Sequence, residues 1–146
     1  MWIAPRTAAL LVCITAFAGD FHLEVQTWPE SPVVFVNFSA GTFREGADRR
    51  QFLTVKNRSA KATIALVFEQ DLLTDSKKEI VTIERVSLLL RPGESRRLSI
   101  SVGDMWNRMQ AASTGKPVLS IVTVELPEGE LWNAPIEGDR SPPTRQ

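Results

Sequence analysis

From Val33 onward, apolar and polar residues alternate in short runs that are separated by turn-forming residues. A period of two marks strands with one buried face, so the pattern predicts an antiparallel sandwich rather than a helical fold. Val33 to Phe38 reads as a first strand. Arg50 to Lys56 places Leu53 and Val55 on one face and Phe52 and Thr54 on the other, and Asn57-Arg58-Ser59-Ala60 then supplies turn chemistry for a hairpin. Thr63 to Gln70 alternates most clearly, with Ile64, Leu66 and Phe68 expected inward. Beyond the polar loop Thr74 to Lys78, Glu79 to Leu90 is long enough for one bent strand or two short ones. Pro92-Gly93-Glu94-Ser95 predicts a second hairpin, because Pro presets φ and Gly accepts φ above zero. Leu98, Ile100 and Val102 are the expected inward residues of the strand that follows, and Ile64, Leu66, Phe68, Leu98, Ile100 and Val122 make the expected inter-sheet core.

Between Gly103 and Ser113 the two-residue period breaks. Met105, Trp106, Met109 and Ala112 fall at helical spacing behind Asp104, a candidate cap for the first free amides, so a two-turn helix is expected there. Gly115 and Pro117 end it. Val118 to Leu126 is apolar on both faces, as a central strand should be, and Pro127-Glu128-Gly129 turns into a last short strand around Leu131 and Trp132. Two prolines, four charges and little apolar surface mark 137–146 as a disordered tail.

The first twenty residues have a different character. Met1 to Arg6 carries one positive charge, Thr7 to Ala18 is an apolar run, and Ala16-Phe17-Ala18 places small residues where a signal peptidase reads. The run is shorter than the ~20 residues a membrane span needs. A cleavable secretory signal over 1–18 is therefore expected, with 19–32 as an N-terminal extension or edge strand and 33–136 as the sandwich. Cys13 is preceded by bulky Val12, which disfavours a lipid anchor.

Composition narrows the function. The chain of 146 residues has 17 Lys plus Arg against 17 Asp plus Glu, and no basic block exceeds two residues, so nucleic acid is not an expected partner. One Cys and one His exclude most zinc sites, thiol pairs and Cys-His dyads. Removal of 1–18 takes away Cys13, and an exported domain without disulfides suits a bacterial periplasm or exterior.

Leu53-Thr54-Val55-Lys56-Asn57-Arg58-Ser59-Ala60-Lys61, followed by an alternating strand, and Leu90-Arg91-Pro92-Gly93-Glu94-Ser95, followed by Leu98-Ser99-Ile100, resemble the immunoglobulin-like or fibronectin type III-like modules of exported bacterial proteins. The resemblance covers roughly Val33 to Ala134. It implies an all-β, immunoglobulin-like antiparallel sandwich with one short helix, and it is nearly silent about activity. The chain has no Tyr, so the tyrosine corner of such sandwiches is absent.

Candidate chemistry is sparse. His22 shares a polar face with Glu24 and Gln26 and reads as an exposed residue rather than a base, since nothing designates a nucleophile for it. The acidic pairs Glu69 with Asp71 and Glu128 with Glu130 read as solvated strand ends rather than calcium or acid-base sites. Asn37-Phe38-Ser39 and Asn57-Arg58-Ser59 match the glycosylation pattern, with Asn57 better explained as a turn residue. No Gly-x-Ser-x-Gly elbow, Ser-x-x-Lys motif or phosphate-cradling loop is present. The expectation is a non-enzymatic binding or structural module of the envelope, with no cofactor or metal and with another envelope or extracellular protein as partner. An edge-strand-presenting chaperone or inhibitor-like module is the alternative. Trp28, Trp106 and Trp132 are the tryptophans beyond the signal, and Trp is enriched in binding hot spots. Trp106 and Arg108 are the candidate partner-binding residues on the helix, against the reading in which Trp106 folds over the open end of the core.

N-terminal sequencing of the exported protein is expected to begin at Gly19. A start at Met1 or a lipidated Cys13 would move the protein to a membrane.

Overall fold

In the computed structural model, which describes residues 23–38, 41–75, 77–111 and 114–135, the alternating runs form two sheets packed face to face. The expected signal with Cys13, His22 and the expected tail at 137–146 all lie outside the described residues. Among the described residues the order is β1 (Glu24–Gln26), β2 (Val33–Phe38), β3 (Phe43–Glu45), β4 (Asp48–Asn57), β5 (Thr63–Leu73), β6 (Lys78–Leu90), β7 (Ser95–Ser101), α1 (Gly103–Ala111), β8 (Lys116–Glu125) and β9 (Leu131–Asn133). The all-β sandwich with one short helix is the expected architecture.

The first sheet runs β9-β8-β5-β6, and β1 lies parallel to β8 beside Val118 to Ser120, on ground that β9 leaves free. In the second sheet β4 is central. Val55 faces both Phe35 and Arg96, and Arg50 faces both Phe43 and Ser101, so β2 and then β3 follow one side of β4 while β7 follows the other. Leu53, Val55 and Ile100 of this sheet meet Leu66, Phe68, Leu119 and Val124 of the first. The Phe35 and Phe68 rings meet across the gap at 6.3 Å. Met105 from α1 is fully buried against the same core and closes one end.

Both expected hairpins are corrected. The residues 58–62 and 91–94 do turn the chain, but each turn carries it from one sheet to the other: β4 pairs with β7, and β5 with β6 and β8. Local turn chemistry sets where the chain reverses; which strand it then pairs with is set by burial of whole faces. Asn57 joins the two crossings. Its amide nitrogen donates to Lys61 O at 2.8 Å and Leu90 O at 2.9 Å, and its Oδ1 accepts from Ser59 N and Ser59 Oγ. Its backbone N–H donates to Glu94 O, and Gly93 N–H donates to its carbonyl at 2.8 Å. Gly93 has φ 81° within a turn closed by Glu94 N–H to Arg91 O, the geometry that made Pro-Gly a turn signal.

The inward faces also need correction at two points. Pairing slips between Thr63–Leu90 and Ala65–Ser87, and Ile64 turns outward to 41% exposure. Pairing slips again between Val67–Thr123 and Phe68–Ile121, leaving Val122 as the extra residue of a bulge, so the core side of β8 passes from Ile121 to Val124. Leu66, Phe68, Ile100 and Val102 are buried as expected, and half-buried Leu98 packs against them. Asp104 lies inside the first turn of α1 rather than before it, where its charge meets the amide pole of the helix. At Gly115 (φ 114°) a Cβ would come within 2.8 Å of Leu72 Cδ1, so only glycine admits the turn into β8.

Replacing Asn57 by Ala leaves two carbonyls without their donor and is expected to cost about 2–4 kcal/mol in chemical denaturation. Asn57→Asp should cost no less, since it sets a carboxylate against the same carbonyls. A loss below about 1 kcal/mol in both variants would mean that the crossings hold without this side chain.

Candidate functional site

β5 is flanked on both sides, and the residues it turns away from the core define the outer face of the first sheet. Glu69 stands between Ile83 of β6 and Ser120 of β8, and Asp71 stands between Ile80 and Val118. With strands ~4.8 Å apart, these neighbours flank the two carboxylates closely. Their side chains are only 12% and 7% exposed although they face outward. They line a groove of about 880 Å³, whose apolar surfaces come from Ile80, Val118 and Val122 and whose far wall includes Gln26, Trp28 and Pro135. Lys77 and Lys78 stand at its mouth. The Lys78 ammonium lies 3.7 Å from Glu69 and 4.0 Å from Asp71, close enough for attraction and too far for a hydrogen bond. The space between the carboxylates is thus held by a cation, whereas an acid-base pair would need to keep it for a water or a scissile oxygen. The arrangement can bind by charge and apolar contact.

Trp28 reaches this wall because the loop before β2 is fastened from the sheet crossing. Arg58 donates from Nε to Ser31 O at 2.9 Å and from Nη2 to Pro29 O and, at 3.4 Å, to Trp28 O. Its own N–H donates to Pro32 O, and Ser31 N–H donates to Trp28 O. A charged donor on several carbonyls is a strong tether. The Asn57-Arg58 step therefore fixes both the crossing and the groove wall.

The other half of the same face is closed. Arg85 on β6 and Glu125 on β8 form a two-pronged pair at 2.7 and 2.8 Å that passes over β5, beneath which Ala65 is fully buried. Only a small residue leaves room for that arch. The Arg85 hydrogen bonds hold the Glu125 carboxyl below its ordinary range.

At the helix end the structure separates the two residues that the sequence put forward as a pair. Trp106 is half-buried beneath the Arg49 guanidinium of β4, which lies 3.6 Å from its ring centre. Arg108 turns the other way and holds Glu79 of β6 through Nε at 3.0 and 3.1 Å and Nη2 at 2.9 Å. The helix is stapled to both sheets, one residue to each. The Arg108 hydrogen bonds, aided by its charge, lower the Glu79 carboxyl below its ordinary value of 4.5. Trp132 packs against the core. Of the acidic pairs, Glu130 binds Lys61 at 2.7 Å while Glu128 is exposed on the turn. Asn57 is fully buried with its amide donors engaged, so the folded chain does not present it for glycosylation; Asn37 is exposed.

The sequence offers Glu69, Asp71 and Trp28 separately, the acids as a solvated strand end. The signal that would have joined them is the length of β5, which continues to Leu73 and so makes the acids mid-strand residues. Among the described residues, no group of three or more His, Cys, Asp or Glu is placed to hold a metal ion.

No family model and no curated protein matches the sequence. Among solved structures, 52% of this chain aligns with 11% of β-glucosidase 3B from Thermotoga neapolitana, solved with glucose and with glycerol, at 20% identity and a TM-score of 0.34. A further 14% of a β-glucosidase from Listeria innocua in complex with gluconolactone aligns with 74% of this chain at 18% identity and a TM-score of 0.32. The chain thus corresponds to a small fraction of either enzyme, and likeness at this level transfers no activity.

Because the folded Glu79 carboxyl is lowered, its pair with Arg108 stabilises the chain above the unfolded carboxyl's range and stops doing so as pH falls through the lowered value. The melting-temperature gap between the wild type and Arg108→Leu should therefore be full above the ordinary carboxyl value of 4.5 and shrink as pH falls below it. A gap that persists at the acid end would mean that Arg108 acts through packing alone.

Proposed function

We propose that this chain is an exported, non-enzymatic binding module of the bacterial cell envelope, built on an immunoglobulin-like sandwich, that holds another envelope protein in the outer groove of its first sheet. The strand pairing supports the immunoglobulin-like assignment. β2, β4 and β7 correspond to strands A, B and E; β5, β8 and β9 correspond to C, F and G, with β6 as C′. The signal-like segment at 1–18 supports export, to the periplasm or beyond.

The observation that carries the binding role is the pair of recessed carboxylates beside Trp28 on an outward sheet face. An outer face that meets only water needs neither walls nor an aromatic, and contiguous apolar surface around polar groups marks interaction sites. Ile80 and Ile83, 51% and 59% exposed, extend the apolar rim along β6.

A second reading, presentation of an edge strand, is favoured by β6 itself, thirteen residues long and paired along one side with β5. Its ends are guarded: Arg96 donates to Leu89 O at 2.9 Å, and Arg108 ties α1 to Glu79. The groove is the better surface.

A photo-crosslinking residue placed at Ile80 in the native envelope is expected to give a defined adduct, and one placed at Trp106 none. The reverse pattern would move the partner site to α1. Turnover of ester, peptide or glycoside substrates by the purified chain would replace the binding reading with an enzymatic one.

A further inference from the structure

Resting on the groove as the binding site, we infer that its occupant is an extended segment of the partner protein that inserts an arginine or lysine side chain, flanked by apolar residues, against Glu69. Glu69 is nearly buried, and its one ionic neighbour among the described residues, Lys78, stands at 3.7 Å, outside hydrogen-bonding distance. A carboxylate removed from water without a donor is costly, and a ligand that brings N–H groups to it recovers that cost in the bound state. Beside it the groove offers Trp28, a side chain whose ring attracts cations, and the apolar surfaces of Ile80, Val118 and Val122, which suit the methylene stem of a long basic side chain.

Lys78 is the chain's own indication of what the site accepts. Its ammonium sits loosely between Glu69 and Asp71 on a flexible stem that is 39% exposed, so a better-fitted cation can displace it toward solvent. A guanidinium is better fitted, since its planar fork makes two parallel bonds to a carboxylate where an ammonium offers a point charge. With Lys77 and Lys78 at the mouth the groove is not acidic as a whole; the complementarity is local, negative on the floor and positive at the rim. A free polyamine, carrying several positive charges, would meet those lysines. A peptide that delivers one cation between apolar neighbours avoids them.

The test uses the full-length chain and two synthetic peptides, acetyl-Ser-Leu-Ser-Arg-Ser-Leu-Ser-amide and its citrulline counterpart, which keeps the shape and loses the charge. Calorimetry and isotope-edited NMR are expected to show the arginine peptide binding about tenfold more tightly than the citrulline peptide, with shifts centred on Glu69, Asp71 and Val118. Glu69→Gln should remove that preference without lowering the melting temperature. Lys78→Ala should tighten arginine binding several-fold by removing the competing ammonium. Equal affinity for the two peptides, no binding at millimolar concentration, or a preference that survives Glu69→Gln would each overturn the inference. If the Ile80 crosslink still forms in any of those cases, the groove remains the partner site and its ligand is not a cation.

Discussion

Six hydrogen bonds at Asn57 hold the sandwich in register. The residue stands where β4 leaves the second sheet for the first, and the returning crossing from β6 to β7 passes against it. Its side chain closes the first crossing on Lys61 and Ser59 and reaches Leu90 at the end of β6, while its backbone binds Gly93 and Glu94 in the second. A buried amide with its donors and acceptor satisfied is stable where a partly satisfied one is not. At this end of the core filled by Leu53, Val55, Leu66 and Phe68, the Asn57 side chain ties the end of β4 to the end of β6.

From that end the pairing runs outward and slips at several points, two of which displace an expected core residue. Opposite Ile64 the extra residue lies on β6, and on β8 it is Val122 itself; at each slip an apolar side chain leaves the core. The two departures differ in consequence. Ile64 goes to solvent, whereas Val122 becomes part of the groove on the outer face. The same face is divided by size: over Ala65 the Arg85–Glu125 pair closes it, and farther along β5, between Ile80 and Val118, it stays open around Glu69 and Asp71. At the opposite end from Asn57, α1 spans the two sheets through Trp106 under Arg49 and Arg108 on Glu79, with Met105 in the core between them.

The proposed binding surface depends on the same point as the fold. Arg58 follows Asn57 directly, and its guanidinium holds the carbonyls of Trp28, Pro29 and Ser31. The side chain that fixes the sheet crossing and the one that sets the groove wall are consecutive, so whatever perturbs the 58–62 turn perturbs both. Such coupling suits a module whose task is to present a rigid surface, because a partner that meets a preformed groove spends little free energy on ordering it.

The alternation of Val33 to Phe38, Arg50 to Lys56, Thr63 to Gln70 and Arg97 to Val102 determined strands, and the break of period at Gly103 determined the helix, because both rest on local geometry: successive side chains point to opposite sides of a strand, and apolar positions three and four apart share a helix face. Turn positions at Asn57 and Pro92-Gly93 were legible for the same reason. What those turns connect was not, since a turn reverses the chain whether the next strand joins the same sheet or the opposite one, and that choice belongs to faces brought together from distant parts of the sequence. The bulges at Ile64 and Val122 were invisible likewise, being mismatches between strands that no single strand records. So was the groove. Glu69 and Asp71 look like a wet strand end until Ile80 and Ile83 on one side and Val118 on the other flank them, and Trp28, some forty residues earlier, is brought to them by the pairing of β1 with β8 and by the Arg58 tether. Charge and residue type are written in the sequence; enclosure, which decides what a carboxylate can bind, is made by neighbours that only the tertiary fold supplies.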